Sequence, residues 1–470
     1  MLGDVKINVL DGGIYGSSNK GEGIHIKIGA SNIESAEPIK IKYTMTLAKI
    51  KNLLGLTPLA DAVMDSIENG SKLIYCIPVK PSIEGSIGAV KHEKNGTGQV
   101  TFSGKPNNQY DIQVIITGQG KLNEALFKYS IDGGYSYGEE ITVPAAGAYE
   151  IVGTGITINF AEGADGISFL INDKYSVNTI EPQMSNSDVM KVIEMLKIST
   201  LLYEYIHVVG ESTSALWAAL AIEADKFLYT YYKPVYFVLE ARKKLENEEL
   251  KDYFAYLERE RKLIKSPYIQ VVTARGMYVK MDGFTKEVNL AGLVCGLYAK
   301  ANVQQSIGEV RNFSISEGKI LKLLPDGIEE YISELDDLGY LTFRKYIGLD
   351  GYYVTNAKML TSENSDYKYT ERVRVSNKIV KLVRQEALLN IQAQIDMEDP
   401  QGSLEKIAEF STSPIEKMKK KKELSSYRYI VPEGQDILVT EKLYFKIFYV
   451  PIGILREIEI DLGMENPYSS

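Results

Sequence analysis

The sequence contains few of the residues on which most catalytic and metal sites depend. Its 470 residues include three histidines, His25, His92 and His207, and two cysteines, Cys76 and Cys295. The histidines lie far apart and form neither HxxxH nor HExxH, so they predict no zinc site and no catalytic triad. The cysteines form no CxxC and lie in apolar segments, so packed thiols in a reducing compartment are the simplest interpretation. We therefore predict a protein that is not an enzyme and needs no metal or cofactor.

Phosphate-binding and nucleophile motifs are also missing. The stretch GGIYGSSNKGEG has no GKS or GKT and does not fit GxGxxG, so a turn-rich arm is the better interpretation. The sequence GESTS at 210–214 is not GxSxG, and ELDD at 334–337 lacks the alternating spacing of a calcium loop. An uncharacterised enzyme stays open as an alternative, but no motif supports it.

The chain also has no net positive charge and no long apolar run. The net charge of −9 argues against an open nucleic-acid surface, and runs such as ALWAALAI are too short to span a membrane. We expect no direct nucleic-acid binding and no membrane insertion. The hydrophobic fraction of 44% is sufficient for large cores, and the length suggests roughly three domains.

Hydrophobic patterning predicts an α/β and α+β multidomain protein. Residues 23–89 show alternating strands, short loops and one short helix. Residues 183–300 alternate helix and strand, which predicts an α/β layer with parallel strands. Between them, residues 90–182 lose helical periodicity and show seven short strands, YEIVGTGITINF and GISFLIND among them, which predicts an inserted β-sandwich. Residues 301–450 are mixed and predict an α+β domain.

Both ends of the chain alternate apolar and polar residues as strands do. The apolar positions are Val5, Ile7 and Val9 before Asp11-Gly12-Gly13, and Ile458, Ile460 and Leu462 near the other end. A strand leaves half of its backbone groups unpaired unless a neighbour supplies partners. Two arrangements remain open: pairing within the strand's own domain, or addition to a sheet of another subunit.

Five lysines are clustered in this acidic chain: Lys417, Lys419, Lys420, Lys421 and Lys422, hereafter the lysine cluster. One interpretation is the solvated end of a helix over 414–424, where cations favour the C-terminal dipole. The other is a docking patch for an acidic partner surface.

The order of these parts resembles the contractile tail sheath proteins of bacteriophages and of phage-like contractile injection particles and bacteriocins. The closing YFKIFYVPIGILREIEIDLG is similar to the family's strand, proline break (here Pro451) and final alternating strand. The segment YVKMDGFTKEVNLAGLVCGLYAKANVQQSIGEV resembles the exit from the α/β layer, and ERVRVSNKIVKLVRQEALLNI resembles a helix that begins at an arginine-rich strand end (Arg372, Arg374). The sandwich with YSIDGGYSYG resembles a decoration of many sheaths, and VKINVLDGGIYG resembles the opening of one branch.

The resemblance implies a helical homo-oligomer of stacked six-fold rings in a virion tail, assembled in the bacterial host cytoplasm. Its partners are an inner tail tube protein and baseplate and tail terminator proteins. Arms 1–22 and 451–470 add strands to neighbouring subunits, with Gly12, Gly13 and Gly453 as joints. Residues 301–450 face the tube through the lysine cluster, and the sandwich faces outward. Contraction drives the tube through a target envelope without nucleotide.

Two further alternatives remain open. The chain is another structural or baseplate component of such a particle, or a carbohydrate-binding β-sandwich protein. The second is weakened because the segment 90–182 has no tryptophan and its tyrosines are scattered.

Overall fold

The structure is a computed structural model that describes residues 21–33, 35, 37–163 and 167–465. Its first part contains strands β1 (His25–Ala30), β2 (Ile39–Lys42) and β3 (Leu73–Val79), and helices α1 (Leu47–Leu54) and α2 (Pro58–Glu68). Thr57 caps α2, because its Oγ1 accepts a hydrogen bond from the Ala60 N–H at 3.3 Å, and Pro58 occupies the first turn.

Nine strands between residues 86 and 180 form two antiparallel sheets around one apolar cluster. One sheet has the order β10-β11-β6, and the other has the order β4-β12-β7-β8-β9, with β5 also paired to β12. This is a β-sandwich. The strands are β4 (Ser86–Ile87), β5 (Lys91–Glu93), β6 (Gln99–Gly104), β7 (Asp111–Gly118), β8 (Leu126–Ser130), β9 (Ile141–Thr142), β10 (Ala148–Ile151), β11 (Ile156–Ala161) and β12 (Lys174–Ile180).

Two of the predicted sandwich strands were wrong. In GISFLIND, the residues that the structure describes form only an isolated bridge, between Phe169 and Gly120. The segment YEIVGTGITINF divides into β10 and β11, because Gly153 and Gly155 adopt positive φ (79° and 76°) and reverse the chain.

The chain then returns to the core through α3 (Asn186–Ile198), β13 (Tyr205–Ser212), α4 (Ser214–Tyr229), β14 (Tyr236–Ala241), α5 (Leu250–Lys262) and β15 (Ile269–Val272). The central sheet has the order β15-β14-β13-β1-β3-β2, and every neighbouring pair is parallel except β2 with β3. The predicted α/β layer with parallel strands is therefore confirmed.

A second, three-stranded sheet lies beside this layer. It has the order β17-β16-β18 and shares the large core cluster that includes Trp217 and Tyr340. The elements of this region are β16 (Arg275–Val279), β17 (Thr285–Asn289), α6 (Ala291–Lys300), β18 (Ile320–Leu324), a 3-10 helix (Ile328–Tyr331), α7 (Ile332–Asp337), β19 (Phe343–Arg344) and β20 (Tyr353–Val354).

The last part contains α8 (Thr370–Leu388), α9 (Pro400–Lys420), β21 (Ser426–Ile430), α10 (Ile437–Thr440) and β22 (Lys446–Val450). Arg372 and Arg374 lie inside α8, so the predicted arginine-rich strand end is wrong. The predicted helix over 414–424 is the end of the longer α9, which continues through the buried Pro414. Among the described residues, no helix combines the length and apolar character that a membrane crossing requires.

Asp61 on α2 links the sandwich to the core. Its carboxylate accepts a hydrogen bond from Asn108 Nδ2 at 2.9 Å and forms an ion pair with Lys286 at 3.2 Å. Burial opposes ionisation, but the charges of Lys286 and Lys280 and the hydrogen bond from Asn108 outweigh it and lower the pKa of Asp61 to about 2. The Lys286 Nζ also lies 5.1 Å from the centroid of the Tyr110 ring.

We expect Asp61→Asn to lower the free energy of unfolding by about 1.5–3 kcal/mol at neutral pH, because charge-assisted hydrogen bonds are lost. The folded-state pKa lies below the ordinary value of 3.8. The contribution is therefore complete above about pH 4 and is lost as the pH falls through about 2. Urea titrations at several pH values test this. Asp326→Asn, at an exposed ion pair with Lys322, is the control and should change stability by less than about 0.5 kcal/mol. If Asp61→Asn lowers the free energy of unfolding by as much at acid pH as at neutral pH, the ionised Asp61 carboxylate is not the source of the stabilisation.

Candidate functional site

Strands β21 and β22 form a two-stranded antiparallel sheet, with Ser426 opposite Val450 and Ile430 opposite Lys446. One face packs on α8 and α9 through Tyr427, Ile447 and Tyr449. Side chains of the other face are exposed, including Phe448 and Val450. Within the part of the chain that the structure describes, each of the two strands has one edge without a strand partner.

The C-terminal segment, residues 451–465, continues directly from β22 and contains no strand. Its alternating apolar side chains are largely exposed: Ile458 by 70%, Ile460 by 79% and Leu462 by 95%. The strand predicted over 455–462 is therefore not formed in the single chain. The alternation suits one face of a strand, but no neighbouring strand of the described chain supplies the ladder.

Of the predicted joints, the structure describes Gly453 but not those of the N-terminal arm. A Cβ added at Gly453 would meet no atom within 4 Å, so the chain has open space there. The joint at Gly453 stays a prediction. The predicted arm residues Val5, Ile7 and Val9 and the joints Gly12 and Gly13 lie outside the described residues.

The lysine cluster lies at the C-terminal end of α9. Asp399 caps the start of this helix, accepting a hydrogen bond from the Gly402 N–H at 3.0 Å. Lys421 is the C-terminal cap, and Lys422 adopts a φ of 58°, at the turn that follows the helix. All five lysines are exposed, and Lys419 forms a loose ion pair with Glu416 at 3.9 Å. The structure thus brings these side chains together on one end of a helix, as the sequence predicts.

A cleft of about 660 Å³ separates α8 and the end of α9 from the α/β layer. Lys417 and Lys421 line it, whereas Lys419, Lys420 and Lys422 do not. The lysine cluster therefore has two parts: two lysines that line the cleft and three that do not.

Arg374 also lines the cleft and ties α8 to the α/β layer. Its guanidinium donates to both carboxylate oxygens of Glu204, with Nε–Oε1 at 2.5 Å and Nη2–Oε2 at 3.1 Å. Glu204 also accepts a hydrogen bond from the Gly23 N–H at 2.8 Å. Burial acts against the ionised form of Glu204, but the charge of Arg374 outweighs it and lowers the pKa of that carboxyl. A bidentate, buried pair of this kind holds the two elements in one orientation.

A polar chain inside the central sheet was not predicted from the sequence. Lys27 Nζ lies 2.6 Å from His207 Nδ1, and His207 Nε2 lies 2.9 Å from Glu240 Oε1. Burial lowers the pKa of His207 well below its ordinary value, so the neutral ring accepts from Lys27 and donates to Glu240. Burial also raises the pKa of Glu240 to about 7. The available signal was the presence of polar residues inside the apolar runs HIKIGA and YIHVVG.

This polar chain joins β1, β13 and β14. Lys27 and His207 have no solvent-exposed area, and Cys76 and Cys295 are free, buried thiols, as predicted. Burial raises the pKa of Cys76 to about 12 and that of Cys295 to about 11, so neither is a nucleophile near neutrality. In the described ranges, no group of three or more His, Cys, Asp or Glu residues is arranged to hold a metal ion.

The fold along nearly the whole chain is that of contractile sheath proteins. The chain is similar to a structure of the baseplate of the anti-feeding prophage in its contracted state, with a TM-score of 0.55, 11% identity and coverage of 98% of this chain and 97% of that chain. It is also similar to the contracted sheath complex of the extracellular contractile injection system PVC (TM-score 0.54, 11% identity, coverage 99% and 98%). The contracted helical sheath of the anti-feeding prophage gives a TM-score of 0.54 at 9% identity, with 99% coverage of both chains.

The predicted sheath-like fold is therefore confirmed. The sequence matches the family described as DUF2586, with its N-terminal domain over residues 2–358 and its C-terminal domain over residues 366–469. The chain belongs to this family. None of the curated proteins compared with the sequence matches it.

Proposed function

We propose that the protein is the structural subunit of a contractile tail sheath, which polymerises helically around an inner tube and contracts to drive the tube through a target cell envelope. The exposed, alternating C-terminal segment beside an open two-stranded sheet carries this proposal. The partners are further copies of this chain in stacked six-fold rings, an inner tail tube protein, and baseplate and tail terminator proteins. The protein acts in the tail of the particle after assembly in the host cytoplasm, without cofactor or enzymatic chemistry.

Strand donation accounts for the exposed apolar side chains. If residues 457–462 add to the edge of a neighbour's β21–β22 sheet, Ile458, Ile460 and Leu462 all point to one face of that sheet. Burial of such a side chain contributes about 1.5–3 kcal/mol. The ladder hydrogen bonds satisfy backbone groups that have no strand partner in the described chain.

A donated strand also explains how subunits stay joined while they move. A subunit that rotates during contraction loses the side-chain contacts of its rigid surfaces. A ladder formed by an arm moves with the sheet that received it and keeps its hydrogen bonds. Residues 1–22 act as the second arm, with Val5, Ile7 and Val9 as inserted side chains and Gly12 and Gly13 as joints.

Replacing Ile458, Ile460 and Leu462 together by Asp should abolish polymerisation and leave the monomer folded, because the three side chains are largely exposed in the single chain. Electron microscopy and sedimentation of the purified protein with its tube protein measure this. The matched control replaces Glu457, Glu459 and Asp461 by their amides, on the alternate positions of the same segment. The control should polymerise, and normal tubes from the triple Asp variant would reject strand donation.

The lysine cluster is proposed to face the tube. Its five ammonium groups stand on one helix end in a chain of net charge −9, so they form a local positive surface that suits acidic tube residues. Such contacts weaken with salt because exposed charges are screened beyond about 10 Å at 0.1 M ionic strength.

We expect replacement of Lys419, Lys420 and Lys422 by Glu to reduce sheath assembly on isolated tubes, because it reverses the charge of the surface proposed to face acidic tube residues. These three lysines do not line the cleft, so the substitutions leave the cleft unchanged. Co-sedimentation with tubes at increasing salt measures the effect. The control changes the exposed Lys105, Lys191 and Lys262 to Glu, which gives the same net charge on other surfaces. Equal binding by both triple variants would remove the lysine cluster from the tube interface.

The sandwich is proposed to face outward as a separable decoration. The chain enters and leaves it at Ile83 and Gln183, which exchange two backbone hydrogen bonds, of 3.2 Å from the Ile83 N–H and 3.0 Å from the Gln183 N–H. Because Ile83 and Gln183 are already paired, a short turn between them can replace the insertion without moving either residue, and Asp61 then loses the hydrogen bond from Asn108.

Removing residues 84–182 and joining Ile83 to Gln183 through Asn-Gly, which favours a two-residue hairpin turn, should leave a core that still polymerises. Circular dichroism and electron microscopy of the shortened protein test this. A shortened protein that does not fold shows that the sandwich is integral to the core. One that folds but forms no tubes places the sandwich in the lattice contacts.

A second candidate is a baseplate component, because one of the similar structures is that of a baseplate. The same micrographs separate the two functions. A sheath subunit forms long tubes, whereas a baseplate component forms closed assemblies of limited size.

A further inference from the structure

We propose that Arg456 anchors the C-terminal segment to its own subunit at the junction of the two family domains, so that the donated length begins at Glu457. The role of this anchor in assembly rests on the proposed sheath function. The anchor itself is a property of the single chain and is tested there.

The Arg456 guanidinium makes three kinds of contact. Its Nη2 forms an ion pair with Glu371 Oε1, and its Nη1 donates to Asn356 Oδ1 at 3.0 Å. Its Cζ lies 3.6 Å from the centroid of the Tyr369 ring, in cation–π geometry. These contacts leave the Arg456 side chain 20% exposed, whereas residues 457–465 are all exposed. Arg456 is therefore the last residue of the described chain that is held against the body of the protein.

The groups that receive Arg456 are fixed by contacts of their own. Asn356 donates through Nδ2 to Asp336 Oδ2 at 2.8 Å and through its backbone N–H to Asp336 Oδ1 at 3.0 Å. Asp336 in turn pairs with Lys358 at 2.7 Å. Glu371 lies in the first turn of α8 and is buried. Its carboxylate therefore depends on the Arg456 cation to offset the cost of desolvation.

This receptor spans the boundary between the two family domains. Asn356 lies in the N-terminal domain, which ends at residue 358, and Tyr369 and Glu371 lie in the C-terminal domain, which begins at residue 366. One side chain from the C-terminal segment thus contacts both domains. Engagement of Arg456 consequently links the position of the segment to the relative orientation of the two domains.

The anchor has a mechanical consequence. A pull on an unanchored segment would open the β21–β22 ladder from its Ser426–Val450 end, one hydrogen bond at a time. With Arg456 engaged, the load enters α8 and the Asn356 loop instead. Residues 451–455 are then held at both ends, which moves the joint of the arm from Gly453 to Glu457. Arg456 is accordingly a positioning residue for the donated strand.

Trypsin reports on the anchor directly, because cleavage after Arg456 requires its side chain to leave the receptor. Mass spectrometry of the monomer follows release of residues 457–470. We expect Glu371→Gln to speed this cleavage by about tenfold or more, since the amide lacks the charge that holds the guanidinium. Glu386→Gln, at the other end of α8, is the control and should leave the rate unchanged. Equal rates in wild type and Glu371→Gln, with circular dichroism unchanged, would overturn the anchor.

Arg456→Ala tests the consequence in assembled particles. If the anchor carries load, sheaths of this variant lose a larger fraction of their subunits on contraction than wild-type sheaths do. Sheaths of Arg456→Lys lose a smaller fraction than those of Arg456→Ala. Unchanged losses would overturn the mechanical role. If the wild-type protein forms no sheath at all, the proposed function fails, while the trypsin result still decides whether the anchor exists.

Discussion

Backbone hydrogen bonding at the C-terminal end determines how copies of this protein are expected to join. Residues 451–465 carry a strand-like alternation of side chains, yet the described chain provides no strand beside them. Directly before them lies a two-stranded sheet whose outer edges also have no strand partner in the described structure. A strand-like segment and an open sheet edge, which the described residues of one molecule do not pair with each other, favour pairing between copies.

The remainder of the molecule suits a body that moves as a unit. The Arg374–Glu204 pair holds α8 to the α/β layer, and the Lys27–His207–Glu240 chain crosses three strands of the central sheet. These contacts are buried, so they are little weakened by salt. The contacts proposed for assembly have the opposite character: an exposed arm, an exposed sheet edge and exposed lysines. Motion is therefore expected between bodies and at the arm.

The sequence predicted local structure well where one periodicity or one cap determines it. The parallel layer followed from alternating strands and helices, and the last turns of α9 lie where the sequence predicts a helix over 414–424. It failed where the outcome depends on residues distant in the chain. GISFLIND has strand-like composition, but only an isolated bridge forms in its described part, and Pro414 does not end α9.

The partner of a charged side chain is also invisible to local patterns. His207 and Lys27 are 180 residues apart, and Arg456 and Glu371 are 85 apart. They meet only because parallel strands and the return of the chain past α8 bring them together. For the same reason, period two indicates that residues 457–462 suit a strand but does not identify the sheet that receives it.

A density map of the polymerised protein that traces residues 451–465 would show directly whether the C-terminal segment is donated to a neighbouring subunit. We expect residues 457–465 to run from Arg456 of one subunit to the β21–β22 sheet of another and to form a ladder there before and after contraction. A segment folded back entirely on its own subunit would contradict the claim.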